Sequence, residues 1–159
     1  MGPRLSDDGA LRTRLVPLLA RRWLLLGIGN DMRGDDAFGP LLARRLRERG
    51  LPALDGGLAP ENWTGPIRRA APDVLILADA TDLGTEPGTL RLLRPFDVAD
   101  GTTSTHDPSL RVLHRYLAAD SPLEVVLLAA QPAACELGAP ASPEVLRAVE
   151  EAAALFGAD

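Results

Sequence analysis

The sequence predicts an α/β protein built around a mostly parallel β-sheet. Short, continuously apolar runs bounded by Gly, Pro or Asn alternate along the chain with amphipathic segments. Continuous apolar runs are typical of strands that are covered on both faces, as they are in parallel sheets. Strands that alternate with helices form βαβ units with right-handed crossovers. The chain has 159 residues, of which 46% are hydrophobic, and this is enough for one domain with a real core.

The apolar runs predict five strands. Each run is rich in Leu, Ile, Val or Ala and ends at turn residues, and the clearest of them closes with Asp79. The fourth alternates only weakly and follows the turn at Pro87-Gly88, which favours an edge strand. In chain order the predicted strands are residues 23–28, 53–55, 74–79, 89–93 and 124–130.

The sequence predicts four helices. In residues 37–49 and 110–119 the apolar side chains recur on one side of the helix and charged or polar side chains occupy the other. Pro40 falls in the first turn of the first helix, where its missing N–H does least harm, and Gly50 and Pro52 end that helix. Ser142 introduces the last helix. The predicted helices are residues 37–49, 61–70, 110–119 and 143–156.

We expect one α/β domain over residues 23–159, preceded by an N-terminal extension. Residues 1–22 show no single period, so they are either disordered or a short helix. No apolar run reaches the roughly 18–20 residues that a membrane span requires. Asp7 and Asp8 interrupt any signal-like segment. A cytoplasmic protein with no membrane partner is therefore expected.

Composition excludes several classes of chemistry. All seventeen basic residues are Arg, so a Schiff-base lysine, a Ser-Lys dyad and a P-loop lysine are absent. The net charge of −5 argues against a nucleic-acid partner, since such proteins carry basic stripes. Cys135 is the only cysteine, which rules out an internal disulfide. We interpret it as a small buried hydrophobic residue rather than a catalytic thiol.

Candidate polar side chains occur in three segments at the ends of predicted elements. Asp35 and Asp36 lie between the first strand and the first helix, and Asp79 ends the strongest strand. His106 precedes the helix at 110–119. Ligands of open α/β sheets bind beyond the carboxyl ends of the strands, so we expect these residues to meet at one rim.

Two carboxylates and one imidazole from separate loops form an open set of oxygen and nitrogen ligands. Such a set suits a divalent transition ion that keeps free coordination positions. Each residue also has a plainer interpretation: an N-cap for Asp35 or Asp36, a turn-forming carboxylate for Asp79, and an ordinary loop residue for His106. His114 lies on an amphipathic helix and is interpreted as a packing residue.

Other site types have little support. Gly27 and Gly29 are followed by Gly34, with Met32 where a dinucleotide-binding G-x-G-x-x-G motif needs its third glycine. No G-x-S-x-G, H-E-x-x-H or C-x-x-C motif occurs. Two alternatives to a protease stay open: a metal-dependent hydrolase of a small molecule, and a non-catalytic nucleotide- or metabolite-binding domain.

Five spaced motifs between residues 23 and 156 form a specific combination. In chain order they are Gly27-Ile28-Gly29-Asn30-x-x-x-Gly34-Asp35-Asp36-x-x-Gly39, Asp55-Gly56-Gly57, Asp79-Ala80 with the later Pro87-Gly88, His106 with Leu110, and Gln131-Pro132. Together they resemble the [NiFe]-hydrogenase maturation protease family. Residues 55–62 and 79–84 are especially similar to the subgroup that processes the formate-hydrogenlyase hydrogenase.

This resemblance implies a three-layer α/β/α fold of the phosphorylase/hydrolase-like type, with a twisted, mostly parallel, five-stranded sheet. It also implies a metal site that serves catalysis, with Asp36, Asp79 and His106 as its ligands. Of the two adjacent acids, the second occupies the ligand position in the family. Arg33 and Asp35 are then candidate helpers of the site.

The resemblance further implies an endopeptidase that trims the C-terminus of a hydrogenase large-subunit precursor. Nickel already seated in the precursor is the recognition feature, so no tightly bound cofactor of the protease itself is expected. Asp55 would support the site or contact the precursor's tail. One departure concerns the docking surface: residues 101–105, before His106, are short and polar, where relatives often carry an apolar stretch.

Overall fold

The structure is a computed structural model that describes residues 4–94, 108–119 and 122–157. The strands are β1 (Trp23–Ile28), β2 (Ala53–Gly57), β3 (Val74–Ala80), β4 (Leu90–Leu93) and β5 (Glu124–Ala130). The helices are α1 (Arg4–Leu19), α2 (Phe38–Glu48), α3 (Thr64–Ala70), α4 (Pro108–Ala118) and α5 (Pro143–Phe156). Short 3₁₀ helices at Gly34–Ala37 and Pro60–Trp63 lead into α2 and α3.

The five strands form one sheet in the order β2-β1-β3-β5-β4. All neighbouring pairs are parallel except β4 and β5, so the antiparallel strand lies at the edge. This confirms the predicted α/β class, the five strands and the edge position of the fourth strand.

Side chains alternate between the two faces of the sheet and produce two apolar clusters. Leu25, Ile76 and Leu128 face a layer that contains α1, α2 and α5. Leu26 and Leu77 face the opposite layer, which contains α3 and α4. The molecule therefore has the three-layer arrangement that the family resemblance implied.

The segment before β1 is part of this packing. Of the two alternatives for residues 1–22, the described part forms a helix, α1, whose Leu11 and Leu15 are buried in the same cluster as α2 and α5. The guanidinium of Arg14 also donates to the carbonyl oxygen of Leu92 on β4 at 2.8 Å. The apolar stripe was hidden in the sequence because it is interrupted by charged residues, Gly9 and Pro17.

Strand β2 is longer than the sequence indicates. The glycines at 56 and 57 were predicted to end it, but they lie within it, and the N–H of Gly29 donates to the carbonyl of Gly57 at 3.0 Å. The parallel partner β1 supplies the ladder that glycine propensity alone does not favour. None of the helices in the described residues is long and apolar enough to cross a membrane.

Candidate active site

The strand order places a topological switch point, where open α/β sheets form a ligand crevice, between the carboxyl ends of β1 and β3. From β1 the chain moves outward to β2 and then returns to the other side of β1 to form β3. Such a reversal separates the loops that leave two neighbouring strands, and ligands of open α/β sheets bind at this point. Asp36 follows β1 and Asp79 lies near the end of β3, so both carboxylates belong to the elements that flank this crevice.

Asp36 is held against the end of β1 by the tight loop before it. Its Oδ2 accepts the backbone N–H of Asn30 at 2.7 Å. Gly29 has a φ of 141°, and a Cβ on it would lie 2.0 Å from the carbonyl oxygen of Asp36. Only glycine fits this close approach, so the glycine of the first motif fixes the position of the acid.

The start of α2 packs directly on the sheet through two other glycines of that motif. A Cβ on Gly39 would lie 2.3 Å from the carbonyl oxygen of Ala78 and 2.4 Å from that of Ile28. A Cβ on Gly27 would lie 2.2 Å from the carbonyl oxygen of Gly39. Backbone contact therefore brings the 3₁₀ helix that carries Asp36 over the ends of both β1 and β3.

Asp79 is half-buried on β3. It follows the alternation of Leu75 and Leu77, which face the layer of α3 and α4. Because Ala78 pairs with Gly27, Asp79 is level with Ile28 on β1. Neighbouring strands lie about 4.8 Å apart, so Asp79 is one strand spacing from the end of β1, where Asp36 is held.

Cys135 lies in the loop after β5, and its thiol is affected by the same carboxylates. Partial desolvation raises the pKa of its thiol, and the negative charges of Asp36, Asp35 and Asp79 raise it further, while the backbone amide of Asp36 acts in the opposite direction. All three carboxylates therefore act on one thiol. The prediction that Cys135 is buried was wrong: it is exposed, because the loop that carries it lies at the rim of the sheet and not in the core.

Asp35 has a different environment from its neighbour. Its side chain is fully buried and accepts hydrogen bonds from the backbone N–H of Ala133 at 2.7 Å and of Ser142 at 2.6 Å. The hydroxyl of Ser142 donates to it at 2.8 Å, and the N–H of Ala134 at 3.4 Å. Asp35 thus ties the segment after β1 to the loop between β5 and α5, a long-range role that its sequence position does not reveal.

Two further polar clusters hold the loops around the crevice. Arg44 of α2 contacts the carboxylates of Asp31 and of Asp55, the first residue of the second motif, and so links the loop after β1 to strand β2. The side chain of Gln131 accepts the N–H of Leu83 and donates to Asp82 at 3.3 Å, which links β5 to the loop after β3.

One of the two histidines lies within the described residues. His106 lies outside the described residues, and α4 begins two residues after it. Within the described residues, no group of three His, Cys, Asp or Glu side chains is arranged to hold a metal ion. His114 lies on α4, and burial lowers the pKa of its imidazole.

Comparison with known proteins gives consistent matches in sequence and in structure. A sequence model of the family described as hydrogenase maturation protease matches residues 39–157. The hydrogenase 3 maturation protease of Escherichia coli (strain K12) is 41% identical over 113 residues, which cover 69% of this chain and 72% of that protein.

Solved structures agree with the sequence matches. A [NiFe] hydrogenase maturation protease from Thermococcus kodakarensis KOD1 gives a TM-score of 0.80 at 32% identity, covering 90% of this chain and 96% of that one. The solution structure of the endopeptidase HycI from Escherichia coli gives a TM-score of 0.70 at 37% identity, covering 81% of this chain and 85% of that one.

Proposed function

The chain belongs to the hydrogenase maturation protease family and is a peptidase, and on this premise we propose that it removes the C-terminal extension of a nickel-loaded [NiFe]-hydrogenase large-subunit precursor. The observation that carries the proposal is the pair of acids at the crevice, Asp36 after β1 and Asp79 on β3. Family membership favours this function over a small-molecule hydrolase or a non-catalytic metabolite-binding domain.

In this proposal Asp36, Asp79 and His106 approach the nickel that the precursor carries. Two carboxylates and an imidazole suit a divalent transition ion, and the nickel enters as part of the substrate, with no tightly bound cofactor in the protease. Asp79 lies on the face of the sheet that α4 covers, and His106 precedes α4 in the chain, which supports the proposal that the two residues approach the same ion. A cytoplasmic location, where the precursor would be made, remains part of the proposal.

Electrostatic interactions let this arrangement distinguish nickel-loaded precursor from metal-free precursor. Two carboxylates that face one crevice repel each other, and a dication that enters between them relieves the repulsion. A precursor without nickel brings no such charge and binds less well. Cleavage is then limited to precursors whose metal has already been inserted. In this proposal either carboxylate takes a proton from a water that attacks the scissile carbonyl.

The test is incubation of the purified protein with nickel-loaded and with metal-free precursor, followed by mass analysis of the precursor's C-terminus. We expect the extension to be lost only from the nickel-loaded form. Asp36→Asn and Asp79→Asn should each slow processing by at least about 100-fold, the scale for losing a charged contact at a reacting centre. Their thermal unfolding should stay close to that of the wild type.

Asp73→Asn is the matched control for Asp79→Asn. Asp73 immediately precedes β3, so it lies at the opposite end of the same strand, and it is exposed. Its replacement should leave processing unchanged. Processing of nickel-loaded precursor at the wild-type rate by Asp36→Asn or Asp79→Asn would show that the assignment of these acids is wrong. His106→Ala should weaken cleavage and His114→Ala should not.

A further inference from the structure

Three exposed apolar side chains lie on segments at the same edge of the sheet as the crevice. Among the large hydrophobic residues that the structure describes as exposed, Met32, Leu58 and Leu137 are the most exposed, at 66%, 68% and 67%. The others, on α1, α4 and α5, range from 38% to 59%. Met32, Leu58 and Leu137, here called the apolar rim, lie on the segments that follow β1, β2 and β5, all at the carboxyl edge of the parallel strands.

Backbone hydrogen bonds connect these three segments to one another. The N–H of Gly29 donates to the carbonyl of Gly57 at 3.0 Å, next to Leu58. The N–H of Gly138, next to Leu137, donates to the carbonyl of Met32 at 2.7 Å. The segment after β1 takes part in both of these hydrogen bonds, and the N–H of its Asn30 also donates to the carboxylate of Asp36. The segments that carry the apolar rim are therefore joined by hydrogen bonds to the loop that holds Asp36.

The surroundings of the apolar rim are acidic. In the described segments at this edge Arg33 is the only basic residue, and Arg44 of α2 pairs with Asp31 from the neighbouring helix. The other exposed acids on these segments are Glu61, Asp82, Glu86 and Glu136. An apolar surface framed by negative charge is complementary to a polypeptide that presents apolar side chains together with positive charge.

We propose that the apolar rim docks an apolar, positively flanked segment of the substrate polypeptide and so holds the precursor at the edge of the sheet where Asp36 and Asp79 lie. This inference rests on the proposed function and adds a second, metal-independent component to substrate recognition. Exposed Met and Leu side chains that become buried on binding contribute through removal of apolar surface from water. Because the contact is made equally in the ground state and the transition state, its loss should raise KM and leave kcat unchanged.

The experiment measures KM and kcat for nickel-loaded precursor with Met32→Gln, Leu58→Gln, Leu137→Gln and the triple variant. We expect KM to rise about fivefold to tenfold for each single substitution and about 100-fold or more for the triple variant, with kcat within about twofold of the wild type. Raising the salt concentration should also raise KM, because screening weakens the contribution of the acidic surroundings.

Val16→Gln is the matched control, since Val16 is an exposed apolar residue on α1, which leads into the opposite end of β1. It should not change KM. If the rim variants process precursor like the wild type while Asp36→Asn does not, the docking surface is refuted and the proposed function stands. If the wild-type protein cleaves no precursor, both fall.

A second outcome would identify another occupant of the rim. If the wild-type protein self-associates in sedimentation experiments and Leu58→Gln alone makes it monomeric, the surface binds a second copy of the chain and the docking proposal is wrong. Thermal unfolding of each variant should match the wild type, because the substituted side chains are exposed.

Discussion

Replacement of Asp35 should cost the protein a large part of its stability, in contrast to replacement of its neighbour Asp36. The buried carboxylate of Asp35 accepts three short hydrogen bonds, from the N–H of Ala133 and from the N–H and hydroxyl of Ser142, at 2.6 to 2.8 Å. Hydrogen bonds to a charged group contribute about 1.5–3 kcal/mol each, but such contributions are not additive. We therefore expect Asp35→Ala to lower the free energy of unfolding by about 4 kcal/mol.

Asp35→Asn sharpens this prediction because it keeps the size of the side chain. An amide has only one acceptor oxygen, and its NH₂ group would face backbone N–H donors, so at least one donor stays unsatisfied. Urea unfolding followed by circular dichroism measures the change, and a loss of about 4 kcal/mol corresponds to a fall in Tm of roughly 8–16 °C for a chain of this size. Asp36→Asn should stay close to the wild type.

A free energy of unfolding for Asp35→Asn within about 0.5 kcal/mol of the wild type would refute this reasoning. It would mean that the loop between β5 and α5 is held by other contacts, and that the buried carboxylate is not its main support. The comparison of Asp35 with Asp36 therefore separates the acid that holds the fold from the acid assigned to the substrate.

Three further predictions follow from single groups. Gly39→Ala should prevent folding or destabilise the protein by several kcal/mol, because its Cβ would lie 2.3 Å from a backbone oxygen; Gly9→Ala, which meets nothing within 4 Å, should be neutral or slightly stabilising in thermal unfolding. Burial lowers the pKa of His114 in the folded protein below its ordinary value of 6.5. As the pH falls, the unfolded chain therefore takes up the proton before the folded protein does. The stability that is present above about pH 6.5 is then lost as the pH falls towards the folded-state pKa. His114→Gln should therefore flatten the fall in Tm between about pH 7.5 and pH 5, and an unchanged slope would contradict this. The raised pKa of Cys135 should make its alkylation by iodoacetamide at about pH 8 slower than that of a free thiol, and Asp36→Asn should speed it; equal rates in the two proteins would show that the carboxylate does not act on the thiol.

Much of the fold could be predicted because local pattern and tertiary packing agree. The apolar runs that became β1, β3 and β5 are buried on both faces, so their composition alone identifies them. Ser142 was recognised as the start of α5, and its hydroxyl does accept the N–H of Val145 at 3.3 Å.

What the sequence did not reveal depends on contacts between distant residues. The role of Asp35 comes from a loop about 100 positions later, and the burial of α1 comes from a surface built by α5 and the sheet. Cys135 is exposed because its loop lies at the rim of the sheet, and the residue type alone does not indicate this position. For the candidate site, the sequence placed Asp36 and Asp79 on the elements that flank the crevice, while His106 lies outside the described residues and stays a prediction.

The helix α1 has a consequence for handling the protein. β4 is an edge strand of the sheet, and α1 covers it in part: the guanidinium of Arg14 donates a hydrogen bond to the carbonyl oxygen of Leu92 on β4. A shortened chain that starts at Trp23 would leave that oxygen open and would expose the apolar surface on which Leu11 and Leu15 now lie. Uncovered sheet edges recruit strands from other molecules. The shortened protein should therefore precipitate or form oligomers, which light scattering would detect. It would lose solubility even though every residue of the crevice is still present.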